Sequence, residues 1–281
     1  MNEKGAMRKH LLKDMTFVEF AERLADDPVI LLPLGSQEEQ GPMAPMGDYM
    51  ITEAVAAMMA RAADAVAAPT LPFGYADYFR TVPGGIALKP ATFCAVLEDT
   101  IENFLDHGIN RLVIVNGHSG NNPLIDQTVR KVKRRQGILV PHIPLWRSIP
   151  EALWQELHPG RGTAALGHGG DPLTSVYLHL FPELMRPDLI ELEERKGELL
   201  GLPTSGLAGV RFRDVDVGLA VDVTDRCGNG IAGGNPLDSS AEKGRRIVDH
   251  LVDFVAAFVR HFKTVDPRAA KTTTITTNRG G

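Results

Sequence analysis

The stretch "RLVIVNGHSGNNPLIDQTVRKVKRRQG" (residues 111–137) decides how the chain folds. Its first seven residues, "RLVIVNG", carry a short continuous apolar run, the mark of a strand buried on both faces. The segment "NPLIDQTVRKVKRRQG" (122–137) has helical spacing, so a glycine-containing turn joins a buried strand to a helix. The flanking sequence repeats the alternation. "VILLPLG" (29–35) is an apolar run ending at proline and glycine and reads as a second buried strand. "DYMITEAVAAMMARAADAV" (48–66) follows it with helical spacing. "AAPTLPFGYADYF" (67–79) holds a short strand and a loop, and "TFCAVLEDTIENFLDHG" (92–108) a helix closed by Gly108. "ILVPHIPLW" (138–146) is another buried strand. Residues 16–26 and 171–182 read as short helices, and "FRDVDVGLAVDV" (212–223) alternates like a strand. "SSAEKGRRIVDHLVDFVAAFVRHF" (239–262) is a long closing helix. Strands alternating with helices predict a layered α/β/α fold around a largely parallel sheet. Residues 1–262 read as one unit and 263–281 as a flexible, Thr-rich C-terminal tail.

Composition narrows the function classes. The chain has 281 residues, 43% hydrophobic and 23% charged, with a formal net charge of −5. That is ordinary globular composition, long enough to bury a substantial core. The one basic run, "RKVKRR" (130–135), lies on a helical segment and reads as a solvated face, not a nucleic-acid site. No apolar run reaches the ~18 residues that span a bilayer, and the N-terminus lacks an apolar signal core. Cys94 and Cys227 are far apart with no paired spacing, so a reducing cytoplasm is the expected compartment.

In a parallel α/β sheet, ligands bind beyond the carboxyl ends of the strands. Glu38 follows the strand at 29–35, and His118 follows the strand at 111–115. Asp48 returns to the same edge after a turn-rich loop of ten residues. Two carboxylates and an imidazole around one point suit a divalent cation. Each residue alone has a plainer reading. Asp48 opens a helix and could be its N-cap. Glu38 and Glu39 could be loop carboxylates facing water, and His118 a hydrogen-bonded turn histidine. Further along, "GHGGDPLTS" (167–175) sets His168 in a second glycine-rich loop, where an imidazole can take and give a proton at neutral pH. Asp171, followed by Pro172, is either a site residue or an N-cap. His142 and His179 sit in apolar contexts and read as core or surface histidines.

These residues carry a resemblance. "LPLGSQEEQGPMAPMGD" (32–48) resembles the metal-ligand segment of the creatininase (creatinine amidohydrolase-like) family, G-S-x-E-x-H-G-P-H-L-P followed by Asp. "VNGHSGNN" (115–122) resembles its N-G-H-G-G-N turn, and "VPGGIALKPATF" (82–93) its F-P-G-T-I-S-L segment. "GHGGDPLTS" is similar to its H-A-G-x-x-E-T-S loop, and "NGIAGGNPLDSSAEKG" (229–244) to its ending, G-x-x-G-[DN]-P-x-x-A-x-x-E-K-G. The matches run in family order from about residue 25 to 262. The resemblance implies an α/β fold, a homo-oligomer with a hexamer as the form to test, and Zn or Mn ions that activate water. Glu38, Asp48 and His118 match family ligands. Gln40 and Met43 stand where the pattern has histidines, and Leu173 where it has the Glu of E-T-S. Phe79 and Arg80 stand near the place of a further histidine. One ion is therefore expected to bind tightly, with a second weak or absent.

The activity this implies is hydrolysis of a small, polar, cyclic carbonyl compound. His168 would hand a proton to the leaving group, with Asp171 orienting it or only capping its helix. Gln40, Arg80, Asn116 and Ser119 are the candidates for binding substrate. Two bond classes stay open. One is the cyclic C–N bond of a creatinine- or lactam-like ring. The other, slightly favoured, is the C–C bond of a keto-cyclitol or sugar-derived diketone such as 3-dehydro-scyllo-inosose. A third reading is a non-catalytic metabolite-binding protein with a structural metal. Structural zinc sites usually close with four protein ligands, often sulfur, and neither cysteine lies near this cluster in sequence.

Overall fold

The computed structural model describes residues 8–268. Helix α1 (Phe17–Leu24) opens on a capping box, in which Thr16 and Glu19 satisfy each other's backbone N–H groups. In chain order follow β1 (Ile30–Leu34), α2 (Asp48–Ala63), β2 (Val66–Ala67), α3 (Pro90–Asp106), β3 (Leu112–Asn116), α4 (Asn122–Gln136) and β4 (His142–Pro144). Then come α5 (Glu151–Leu157), α6 (Leu173–Leu180), β5 (Glu198–Leu199), β6 (Leu202–Pro203), β7 (Gly209–Phe212), β8 (Val215–Gly218), α7 (Val223–Arg226) and α8 (Ala241–Phe262).

Strands β2-β1-β3-β4 form one sheet in that order, every pair parallel. Its central strands, β1 and β3, are buried along their whole length. Period-two alternation sorts their side chains onto two faces. Leu31, Val113, Val115 and Ile143 face one core with Val55 and Met59 of α2, Val176 of α6, and Ile247, Leu251 and Val255 of α8. Ile30, Leu32, Leu112 and Ile114 face the other, with Phe93, Leu97 and Ile101 of α3 and Ile125 and Val132 of α4. Helices on both faces explain why the strands read as continuous apolar runs. The layered α/β/α architecture expected from the sequence is the one observed.

Three local readings change. The strand expected at 138–146 is paired only over His142–Pro144, because Leu145 enters a 3₁₀ turn. The alternation at 212–223 is not one strand. Phe212 pairs with Val215 across a hairpin whose turn, Arg213–Asp214, has φ of 46° and 64°. Left-handed turns usually advertise themselves with Gly or Asn, and an Arg-Asp pair hid this one. Helix α5 has no counterpart in the sequence reading. Of the tail at 263–281, residues 263–268 are described. There the Leu139 N–H donates to Pro267 O at 2.8 Å, and Arg268 bridges Ile138. The Thr-rich remainder lies outside the described residues.

The basic run lies on α4, with partners of its own. Arg130 pairs with Asp126 at 2.7 Å, and Arg135 with Glu98 of α3 at 2.8 Å. Lys131 also pairs with Glu98. Both cysteines are free, and among the described residues no helix is long and apolar enough to cross a membrane.

Candidate metal centre

Register puts the site together. Leu34 of β1 lies opposite Asn116 of β3, so the segments leaving both strands emerge side by side. Gly117 must be glycine for this to happen. A Cβ there would sit 1.8 Å from the Thr52 hydroxyl of α2.

Glu38, Asp48 and His118 meet at this edge, all three buried, with one ligand atom from each lying within 4.8 Å of the others. His118 Nδ1 lies 2.9 Å from Glu38 Oε2 and 3.0 Å from Asp48 Oδ2. Its Nε2 lies 2.8 Å from the Tyr75 carbonyl, which can only accept. Nε2 therefore carries a proton, and Nδ1 is the nitrogen offered to the carboxylates. A metal-ligating histidine is normally braced in this way, its far N–H held by a carbonyl. Ser36 organises the acids. Its N–H donates to Asp48 Oδ1 at 2.6 Å, and its hydroxyl donates to Glu38 Oε2 at 2.7 Å. Asp48 does not cap α2; Gly47 holds that position, and Asp48 is the first helical residue.

Without an ion, the acidic corner is compensated by the imidazole. Burial pulls the His118 pKa down, but Glu38 and Asp48 override this and raise it well above the usual value. Asp48 is pushed up to about 6, chiefly by burial, with the Glu38 charge adding to it. Glu38 is held below the usual range by His118 against the cost of burial. The donor set of two carboxylate oxygens and one imidazole nitrogen fits a divalent cation, which would take the place of the Nδ1 proton. The remaining oxygen of Glu38 is engaged: Gln40 Nε2 donates to Oε1 at 3.0 Å.

His168 lies beside this cluster. Its Nε2 meets Glu39 Oε1 at 2.6 Å, and its ring stacks on Phe79 with centroids 4.2 Å apart. Burial lowers its pKa, but Glu39 and the charge of Glu38 raise it overall. Glu39 is buried, contrary to its reading as a solvated loop carboxylate. Its one signal in the sequence is adjacency to Glu38.

Asp171 does not orient His168. Its Oδ2 meets His158 Nε2 at 2.8 Å, and its Oδ1 accepts from the Ser175 and Ser239 hydroxyls, both at 2.6 Å. Lys243 Nζ lies 3.4 Å from the other nitrogen of His158. These residues tie the end of α5 to the starts of α6 and α8. His158 stands outside every motif and gave no signal in the sequence. Asp171→Ala would strand the buried donors of His158 and Ser175 together with the half-buried Ser239 hydroxyl, and is expected to cost about 3 kcal/mol of stability. Urea unfolding measures it; an unchanged midpoint would show that the cluster carries no load.

The other candidates are placed as follows. Asn116 is spent on the turn, donating to His118 O at 2.6 Å and Asn122 Oδ1 at 2.9 Å while accepting from the His118 N–H. It has no donor left for substrate. Arg80 is exposed and pairs with Asp77 at 3.0 Å, on the 3₁₀ turn that carries Phe79. Ser119 is exposed at the mouth of the His118 turn. His142 and His179 are half-buried, on β4 and α6.

A family model, Creatininase (creatinine amidohydrolase), matches residues 13–259. The chain belongs to the creatininase family. It is a hydrolase of that family, whose members are metal-dependent. Creatinine amidohydrolase of Pseudomonas putida is 30% identical over 192 residues, 63% of this chain and 74% of that protein. 3-Dehydro-scyllo-inosose hydrolase of Thermotoga maritima is 25% identical over 262 residues, 88% of this chain and 81% of that protein. Mycofactocin precursor peptide peptidase of Mycolicibacterium smegmatis is 28% identical over 243 residues, 84% and 86%. A solved structure described as "Creatininase Mn" superposes with a TM-score of 0.72 and 27% identity, covering 90% of this chain and 98% of that one. Together with the buried Glu-Asp-His cluster, it supports a divalent metal.

The positions that depart from the creatininase pattern are filled in ways that give no further ligand. Gln40 donates to Glu38. Met43 is buried in the core that contains α2 and α8, and Leu173 packs against that core. Phe79 stacks on His168.

Proposed function

We propose that this creatininase-family chain hydrolyses a small cyclic ketone by cleaving a carbon–carbon bond, with a keto-cyclitol or sugar-derived diketone as substrate. The observation that carries the reading is the Glu38–Asp48–His118 set with Gln40 closing it, a site for one ion, Mn or Zn. A divalent ion there would lower the pKa of bound water to about 7 and polarise a carbonyl. The residues of the chain do the rest. Ser36 and Tyr75 hold the ligands in place. Gln40 keeps a neutral amide beside Glu38, and His168 moves the proton.

The Thermotoga relative, matched over 88% of this chain, supports the ketone substrate. Arg80, paired on the surface, lends that substrate no support. The alternative is C–N hydrolysis of a cyclic amide, favoured by the 30% identity to the Pseudomonas enzyme. The test is a turnover screen of Mn- and Zn-loaded protein with 3-dehydro-scyllo-inosose, creatinine and simple lactams. Opening of the diketone, stopped by a chelator that leaves the circular dichroism spectrum unchanged, is the expected result. Turnover of creatinine or lactams alone would select the amide reading. Turnover that survives metal removal would reject both.

A further inference from the structure

We propose that Glu39 is the positioning residue of this site: it holds His168 as its Nε2–H tautomer and leaves Nδ1 as the nitrogen that takes and returns the proton. The assignment rests on the reading above, in which His168 moves a proton.

Glu38 and Glu39 are adjacent yet serve different histidines. Glu38 meets His118, and Glu39 meets His168. Glu39 is fixed at both oxygens. Oε1 lies 2.6 Å from His168 Nε2, and Oε2 accepts the Gly41 N–H at 2.6 Å. With Oε2 taken by a backbone N–H, the carboxylate is set as an acceptor on both sides, and an acceptor at Oε1 asks Nε2 to be the nitrogen that carries the ring proton. Nδ1 has no hydrogen-bond partner among the described residues. The ring is held in plane by Phe79, stacked at an interplanar angle of 21°. The His168 backbone is held as well, since its carbonyl accepts the Gly233 N–H at 2.9 Å. Room for the Glu39 carboxylate depends on Gly230, with φ of 80°, where a Cβ would lie 2.2 Å from Oε2. Three separate segments thus converge to fix one imidazole and leave one of its nitrogens unused.

The proton transfers follow. As the water oxygen bonds to the substrate carbonyl carbon, the C=O pair moves onto oxygen, and Nδ1 takes a water proton. As the C–C or C–N bond breaks, its electron pair stays with the departing atom, the carbonyl re-forms, and Nδ1 returns the proton to that atom. Water is consumed and the imidazole is regenerated.

Glu39→Gln is a pointed test because it is isosteric but keeps only one acceptor. The Gly41 N–H is a fixed donor and claims that oxygen. The new NH₂ group then faces His168 and asks Nε2 to accept, which moves the ring proton to Nδ1. The measurement is ¹⁵N NMR of the imidazoles in zinc-loaded protein, with turnover of 3-dehydro-scyllo-inosose and creatinine followed in parallel. The expected result is an Nε2–H ring in the wild type and an Nδ1–H ring in Glu39→Gln. Metal content should be unchanged, with kcat down roughly 10²–10⁴-fold and KM little altered. Glu39→Ala should show both tautomers. An Nε2–H ring that persists in both variants overturns the proposal, and so does a moved proton with an unchanged kcat. If the wild type turns over neither compound but the tautomer follows Glu39, the substrate reading fails and the hold of Glu39 on the ring stands.

Discussion

His118→Ala protein, purified without chelator, is expected to carry no tightly bound metal and to show no turnover, where the wild type carries about one equivalent per chain. Among the described residues, His118 supplies the only nitrogen of the cluster, and its Nδ1 faces both carboxylates at 2.9 and 3.0 Å. Removing it deletes a ligand and also the one cationic partner of two buried acids. Breaking a buried charge set in this way costs about 3–5 kcal/mol, so thermal unfolding is to be measured beside metal content. Chelator-treated wild type separates the two effects, since it loses the ion and keeps the imidazole. Metal retained at wild-type affinity by His118→Ala would remove this site from the chemistry. Two tight equivalents in the wild type would contradict the single-ion reading drawn from Gln40, Met43 and Leu173.

His168→Ala is expected to lower turnover roughly 10²–10⁴-fold, the usual worth of a placed acid–base group. Metal content should not change, because His168 pairs with Glu39 and with none of the three ligands. The contrast with His118→Ala is what makes the pair informative: one variant should lose the ion, the other should keep it and lose the proton transfer. An unchanged rate in His168→Ala would hand the proton to another group.

Much of this was legible in the sequence, and the residues show why. Strands buried on both faces announce themselves as apolar runs, so "VILLPLG" and "RLVIVNG" placed β1 and β3, and parallel pairing then brought Glu38 and His118 to one edge. Asp48 could be brought there by loop length alone. What could not be read was which side chains are already spent. Asn116 and Asp171 carry the right chemistry in the right segments, but one braces its own turn and the other ties three helices. Such partners come from segments far apart in the chain: His158 is 13 residues from Asp171, and Glu39 is 129 from His168. Local spacing holds no trace of them. Arg80 stands on the surface, paired with Asp77 three residues earlier.

The pairing of β1 with β3 has one more consequence. Two of the candidate ligands leave from one strand and the third from its neighbour, so the cluster forms only when Leu34 lies against Asn116. A slip of a single residue would turn each inward side chain outward and scatter the ligands. Ion occupancy is therefore expected to gauge correct strand alignment: refolded preparations that hold metal should be those with β1 and β3 in register.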